Sequence, residues 1–226
     1  MMMPAPAQQG AKRRVLVVDD HPIVRQGMTL LINREPDLEV CGEAEEATAA
    51  IAAIEQLQPD VVIADLSLNG PDGIDLVKAI RARSSSLPVL VLSMHDELTY
   101  AERALRAGAN GYIMKQEATT RVLTAVRRIL SGDVYLSDRA ANRVVQQFVR
   151  GATRTESPIA ELSDRELEVF RLIGQGHGTR QIAEELHLSV KTVESHQAHI
   201  KEKLSLRSAR ELVQHAIQWS LSKNAS

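Results

Sequence analysis

The feature that most constrains this chain is a rhythm. Up to about residue 130, short apolar runs at 15–18, 39–41, 61–64, 89–92 and 111–114 alternate with helical patterns over roughly 22–33, 45–57, 73–83, 97–107 and 119–130. Short apolar runs of this kind belong to strands covered on both faces. Strand and helix in alternation require right-handed crossovers, and so predict a doubly wound parallel five-stranded α/β sheet. In such a sheet, ligands bind outside the carboxyl ends of the strands, where the strand order reverses.

Four of the five strand ends carry polar functional groups: Asp19 and Asp20, then Asp65, Ser93 and Lys115. Three carboxylates converging on one edge repel one another unless a cation joins them. Oxygen ligands of this kind suit Mg²⁺, which keeps several waters and prefers a partner phosphate. Taken singly, each residue has a simpler account: Asp20 as the cap of a helix beginning at Pro22, Lys115 as a solvated strand end. Only the set, in this order, argues for a site.

From 132 to 158 the pattern weakens to a linker with one helix near 137–150 and the polar stretch GATRTESP. Beyond it the chain reads as wholly helical, with Ser163-x-x-Glu166 and Ser208-x-x-Glu211 as capping boxes at helix starts. The expected organisation is a disordered tail over 1–12, an α/β domain over 13–131, the linker, and a small all-α domain over 159–226. A net charge of −2 offers no bulk attraction to nucleic acid or to an anionic membrane, so such binding has to come from a local patch. No stretch approaches the roughly 18 apolar residues of a membrane span, and the leader MMMPAPAQQGAKRR lacks the apolar core of a signal peptide. A cytoplasmic location with no membrane partner is expected. The single cysteine, Cys41, cannot pair internally and is expected to be a buried structural thiol.

The set VVDDHP, DLSLNGPDGIDL, LSMHDE and GANGYIMK, over about residues 13–130, closely resembles the receiver domain of two-component response regulators, a flavodoxin-like fold. The resemblance implies that Asp65 accepts a phosphoryl group from a histidine kinase and that Asp19 and Asp20 form an acidic metal pocket. It names Asp20, Asp65 and the main-chain carbonyl of Ser67 as direct Mg²⁺ ligands. It also implies that Ser93 and Lys115 engage the phosphoryl group, and that movement of Ser93 lets Tyr112 turn inward. Tyr112 would then report the modification on the face built by the fourth helix and fifth strand. The physics agrees, because phosphoryl transfer asks mainly for positioning and charge neutralisation, and a carboxylate is an established covalent acceptor. Three positions depart from the family pattern: Asn69 and Gln116 stand where Pro is common, and Met94 where the residue is often small. Neither His21 nor His95 is expected to be a ligand or nucleophile, and the resemblance implies that His95, two after Ser93, tunes dephosphorylation.

The stretch LSDRELEVFRLIGQGHGTRQIAEELHLSVKTVESHQAHIKEKLSLRSARELV resembles the LuxR-type helix-turn-helix domain over its whole length. The two halves together are similar to response regulators of the NarL/FixJ group. From the residues, Thr179 is expected to cap a short helix, HLS to make a tight turn, and Ser189 to cap a longer helix to about Leu204. Val193, Ile200 and Leu204 should face its core. The opposite face presents Lys191, Thr192, Glu194, Ser195, Ala198 and Lys201, which with Thr179 and Arg207 form the expected DNA surface. Between 191 and 210, five cations (Lys191, Lys201, Lys203, Arg207, Arg210) face two acids (Glu194, Glu202), an excess of three positive charges. Glu194 departs from the usual basic or neutral residue and can accept from cytosine N4. On the last helix one apolar stripe, Ala209-Leu212-Ala216, suffices for packing. The second, Val213-Ile217-Leu221 with Trp219 nearby, is the expected homodimer contact.

The expected function is a transcription regulator, not an enzyme, whose phosphorylation favours a dimer on paired double-stranded DNA half-sites. Two rivals share the sequence. One is a DNA- or protein-binding regulator that is never phosphorylated. The other is a phosphohydrolase with an Asp65 intermediate, although such enzymes usually carry a second acid where Ser67 stands.

Overall fold

The computed structural model describes residues 11–68, 73–94, 97–149, 158–186 and 188–224. Tail residues 1–10, linker residues 150–157, Asn69, His95 and His187 lie outside the described residues. The chain divides into two compact units, Met1–Gly151 and Ala152–Ser226.

The first unit runs β1 (Arg13–Val18), α1 (Pro22–Asn33), β2 (Leu38–Ala44), α2 (Ala47–Leu57), β3 (Val61–Asp65), α3 (Gly73–Arg83), β4 (Val89–Ser93), α4 (Glu97–Ala107), β5 (Gly111–Met114), α5 (Ala118–Leu130) and α6 (Asp138–Val149). The five strands are parallel in the order β2-β1-β3-β4-β5, the doubly wound sheet expected. Its two faces follow from the period of two along a strand. Val15, Val17, Ile63, Leu90, Leu92 and Ile113 join Ile32 of α1 and Val122, Val126 and Ile129 of α5 in one buried cluster. Their neighbours Leu16, Val18, Val62, Ala64, Val91 and Tyr112 point the other way and are equally buried. Burial on both faces is why these strands read as continuous apolar runs.

β2 is longer than its apolar run because it is an edge strand with partly exposed residues. Its register against β1 shifts between Val15 and Leu16, leaving Cys41 as the extra residue of a bulge. Cys41 is half-buried rather than buried, and its thiol donates to Val15 O (3.4 Å). Burial raises its pKa, so the expectation of an unreactive thiol stands on a partly buried one. The turns flanking β4 are stapled by Arg81, which donates from Nε to Gly108 O (2.7 Å), to Ser84 O (3.0 Å) and to Asn110 Oδ1 (2.8 Å). Asn110 Oδ1 also accepts from Val89 N (3.0 Å), where β4 begins.

The stretch over 132–149 belongs to the first unit. Tyr135 bridges to Gly111 of β5, and α6 packs on α4.

The second unit consists of α7 (Asp164–Gly174), α8 (Thr179–Glu185), α9 (Val190–Lys203) and α10 (Ala209–Asn224), preceded by a 3-10 turn (Pro158–Glu161). Ser163 caps α7 in a reciprocal capping box with Glu166, as the spacing predicts. At α10 the box is incomplete: Ser208 Oγ accepts from Glu211 N, but the Glu211 carboxylate takes Arg207 N instead of Ser208 N. Gly178, not Thr179, is the N-cap of α8. Its backbone is already extended, and Gln181 Oε1 accepts its N–H (2.8 Å). Val193, Ile200 and Leu204 are buried, so the expected inner face of α9 is the observed one. Trp219 packs against Phe170 in a tilted arrangement, 5.7 Å between ring centres and 54° between planes. The aromatic next to the expected dimer stripe therefore takes part in the unit's own packing.

Candidate functional site

The ends of β1 and β3 are adjacent in the sheet, and they mark the point where the strand order reverses. Asp19 and Asp20 follow β1, Asp65 closes β3 and Lys115 follows β5, so a single edge gathers all four. The floor of this edge needs a glycine. Gly73 N donates to Leu66 O (2.8 Å), and a Cβ on Gly73 would stand 2.2 Å from the Asp65 carbonyl oxygen. Only a residue without a side chain lets α3 begin this close to the end of β3.

Lys115 Nζ sits between two buried carboxylates, 2.7 Å from Asp19 Oδ2 and 2.8 Å from Asp65 Oδ2. Burial opposes its charge, yet Asp65 and Asp19 together hold its pKa above the ordinary lysine value. Asp65 is pushed up to about 6, first by burial and further by the negative charge of Asp19, against the pull of Lys115. One cation does not neutralise three acids, and the remaining charge defines the chemistry of the pocket. Asp65 Oδ1 is buried without a hydrogen-bond partner. Asp19, Asp20, His21 and Asp65 each bring one ligand atom to within 4.8 Å of the others. Hard oxygen donors, an excess of negative charge and an uncommitted buried carboxylate oxygen fit a divalent cation such as Mg²⁺.

Asp20 does not cap α1. His21 is the N-cap residue, and Asp19 Oδ1 accepts its backbone N–H (2.9 Å). Arg25 donates to Asp19 O (2.6 Å) and lies near Glu43 and Glu45, which fixes the backbone at the acid pair. His21 Nδ1 stands 2.6 Å from Asp20 Oδ1 and 3.2 Å from Asp19 Oδ1, at the rim of the pocket where the sequence reading assigned it no part. The Asp20 contact is close but lacks hydrogen-bond alignment.

Ser93 and Tyr112 are fully buried. In the register, Val91 faces Tyr112 and Ser93 faces Met114, which puts the Ser93 and Tyr112 side chains on the same face of neighbouring strands. The Tyr112 side chain is already inside. Met94 is exposed.

In the second unit, α8 and α9 form a helix-turn-helix closed by Leu188 N donating to Ala183 O (2.8 Å). Lys191, Glu194, Ser195 and Ala198 are exposed on α9; Thr192 and Lys201 are half-exposed. Thr192 is committed to the cap, its N–H and hydroxyl both contacting Ser189 Oγ. Ser195 Oγ donates to Lys191 O (3.0 Å). The Thr179 hydroxyl accepts from Gln197 Nε2 (3.3 Å), a contact between α8 and α9 that sequence reasoning missed. Lys203 leaves the cationic patch: its ammonium is 2.6 Å from the buried Glu166 carboxylate of α7. The positive excess is thus smaller than the count suggested, and is carried by Lys191, Lys201, Arg207 and Arg210. On α10, Leu212 and Ala216 are buried while Val213, Ile217 and Leu221 are exposed, and Ala209, expected on the packing stripe, is exposed at the start of the helix.

A doubly wound domain with an acidic pocket at its switch point, followed by a helix-turn-helix unit, is the architecture of a DNA-binding response regulator. The family model for the response regulator receiver domain matches residues 15–127, and that for bacterial regulatory proteins of the luxR family matches 160–216. Oxygen regulatory protein NreC of Staphylococcus carnosus is 38% identical over 213 residues, covering 92% of this chain and 98% of the relative. Among solved structures, a LuxR-family two-component response regulator from Aurantimonas superposes with a TM-score of 0.57 at 35% identity, covering 62% of this chain and 99% of that one. RcsB from Salmonella enterica serovar Typhimurium, bound to promoter rprA with phosphomimetic BeF3-, gives 0.56 at 29% identity over 91% and 98%. The chain belongs to the LuxR-type (NarL/FixJ) family of two-component response regulators, and is a transcription regulator. No helix among the described residues is long and apolar enough to cross a membrane.

Proposed function

We propose that Asp65 is the phosphoacceptor of this regulator and that its state controls DNA binding by the second unit. The observation that carries this reading is the Asp65 carboxylate, buried at the switch point, held on Oδ2 by Lys115 and uncommitted on Oδ1. A carboxylate oxygen of Asp65 attacks phosphorus of a kinase phosphohistidine; the O–P bond forms, the P–N bond breaks, and the leaving imidazole takes up a proton. Lys115 lies where charge on the phosphoryl oxygens needs neutralising, and the Ser93 hydroxyl donates to the modified group. Asp20, Asp65 and the Ser67 carbonyl would hold Mg²⁺, with Asp19 completing the acidic pocket. The ion supplies charge neutralisation there. Tyr112 carries the change to the face of α4 and β5.

On the second unit, α9 enters the major groove. Lys191, Lys201 and Arg207 hold phosphates, while Glu194, Ser195 and Ala198 meet base edges, flanked by Thr179 and Thr192. Val213, Ile217 and Leu221 join two copies, which sets two reading helices on paired half-sites. The solved arrangement of two RcsB dimers bound to two parallel DNAs supports the dimeric mode. The regulator acts in the cytoplasm with its kinase partner.

The test is binding of the full chain to a DNA fragment recovered by in-vitro selection. Phosphorylated wild type should bind more tightly than Asp65→Ala; equal binding by the two removes the proposal.

A further inference from the structure

The segment that leaves the first unit is tied to it at two points beside the switch residues. At the first, Tyr135 pairs with the free edge of β5. Tyr112 N donates to Tyr135 O (3.0 Å) and Tyr135 N to Asn110 O (2.9 Å), while the Arg128 guanidinium lies 5.8 Å from the Tyr135 ring centre. A Cβ on Gly111 would stand 2.9 Å from Tyr135 O, so the glycine permits this approach.

At the second point Glu97, the first residue of α4, accepts from Ser137 N (2.9 Å) and from Ser137 Oγ. Ser137 Oγ in turn accepts from Ala140 N (3.2 Å). One buried carboxylate therefore organises the start of α6. From there Ala140, Arg143 and Val144 line a small cavity with Leu98, Ala101 and Glu102 of α4. Glu97 comes four residues after Ser93 in the chain.

We propose that Glu97 is a positioning residue, a latch that holds α6 on α4 and that the modification of Asp65 releases. Its place on α4, just beyond the strand that ends in Ser93, together with its double hydrogen bond to Ser137, carries the inference. It rests on the reading of Asp65 as phosphoacceptor. Movement of Ser93 toward the phosphoryl group shifts the start of α4 and pulls Glu97 away from Ser137. Hydrogen bonds weaken steeply with angle, and a buried carboxylate that loses its donors is costly, so the contact is either made or broken. The backbone pairing at Tyr135 remains as the pivot. What leaves α4 is the last helix of the first unit, the one that precedes the DNA-binding unit in the chain.

The experiment is hydrogen–deuterium exchange on the full chain, for wild type, Glu97→Gln and Ser137→Ala, with and without acetyl phosphate and Mg²⁺, with intact mass read on the same samples. Phosphorylated wild type should exchange at least tenfold faster over 137–146 and unchanged over β1 and β3. Each variant should show that faster exchange without the phosphodonor, and phosphorylation should add nothing further. A merely structural residue would leave the phosphorylation-dependent increment in place, and that result overturns the latch. A gain in mass with unchanged α6 exchange in wild type also overturns it, while leaving Asp65 as acceptor. Absence of any mass gain removes the Asp65 reading and the latch's trigger with it.

Discussion

Lys115 stands between Asp19 and Asp65, and neither carboxylate can easily be left alone in a buried site. Replacing it with alanine removes one partner of a buried pair, a change that typically costs about 3–5 kcal/mol. Lys115→Ala should therefore lower the thermal midpoint in metal-free buffer and regain part of the loss in Mg²⁺, as followed by circular dichroism. Wild type should itself be stabilised by Mg²⁺, by about 2.7 kcal/mol at a hundredfold excess over Kd. Asp20→Asn should lose that response; an unchanged Mg²⁺ shift would remove Asp20 from the metal pocket. These residues were legible in the sequence because burial on both faces of β1 and β3 leaves clean apolar runs, each ending in acid. His21 and Arg25 were not legible as neighbours of the pocket, because their part depends on how the first turn of α1 folds back over the acids.

Elements whose placement rests on tertiary contacts were harder to read. β2 bulges at an edge and is only partly buried, so only residues 39–41 in its first half read as a strand. The cap of α8 falls on Gly178, whose N–H is taken by the Gln181 side chain, while the Thr179 hydroxyl accepts from Gln197 of α9 instead of capping the helix. The stretch over 133–137 offers only the short run Val134-Tyr135-Leu136, and its place is set by backbone bonds to Asn110 and Tyr112 and by Glu97. Arg81 is a further case: its three acceptors lie in two turns that nothing in the sequence links. Arg81→Ala should cost about 1–3 kcal/mol and speed amide exchange at the start of β4. In the second unit, burial pushes the Glu166 carboxyl up, but hydrogen bonds from Lys203 and Ser163 outweigh it and hold the group below its ordinary value. A depressed folded pKa stabilises the unit above the ordinary value of 4.5, and that stability is lost as pH falls through the folded pKa. Calorimetry of the full chain should show the acid loss diminished in Lys203→Met; an identical profile would contradict the pairing.

At the scale of the whole molecule, a net charge of −2 gives no bulk attraction to DNA, so the proposed binding rests on the local surface of α9 and the residues after it. Lys191→Ala should weaken binding uniformly across sequences and reduce the salt slope by about 1. Glu194→Ala should instead change which bases are preferred, as measured by selection from a random pool. Ile217→Glu places a charge in the exposed stripe of α10 and should leave the monomer folded while reducing dimer on DNA, seen in sedimentation. The proposed control of DNA binding rests on Asp65, and one measurement addresses it directly: the intact mass of the full chain after incubation with acetyl phosphate and Mg²⁺, beside Asp65→Asn. The account predicts a gain of one phosphoryl group in wild type and none in the variant. The same gain in both, or in neither, would contradict it.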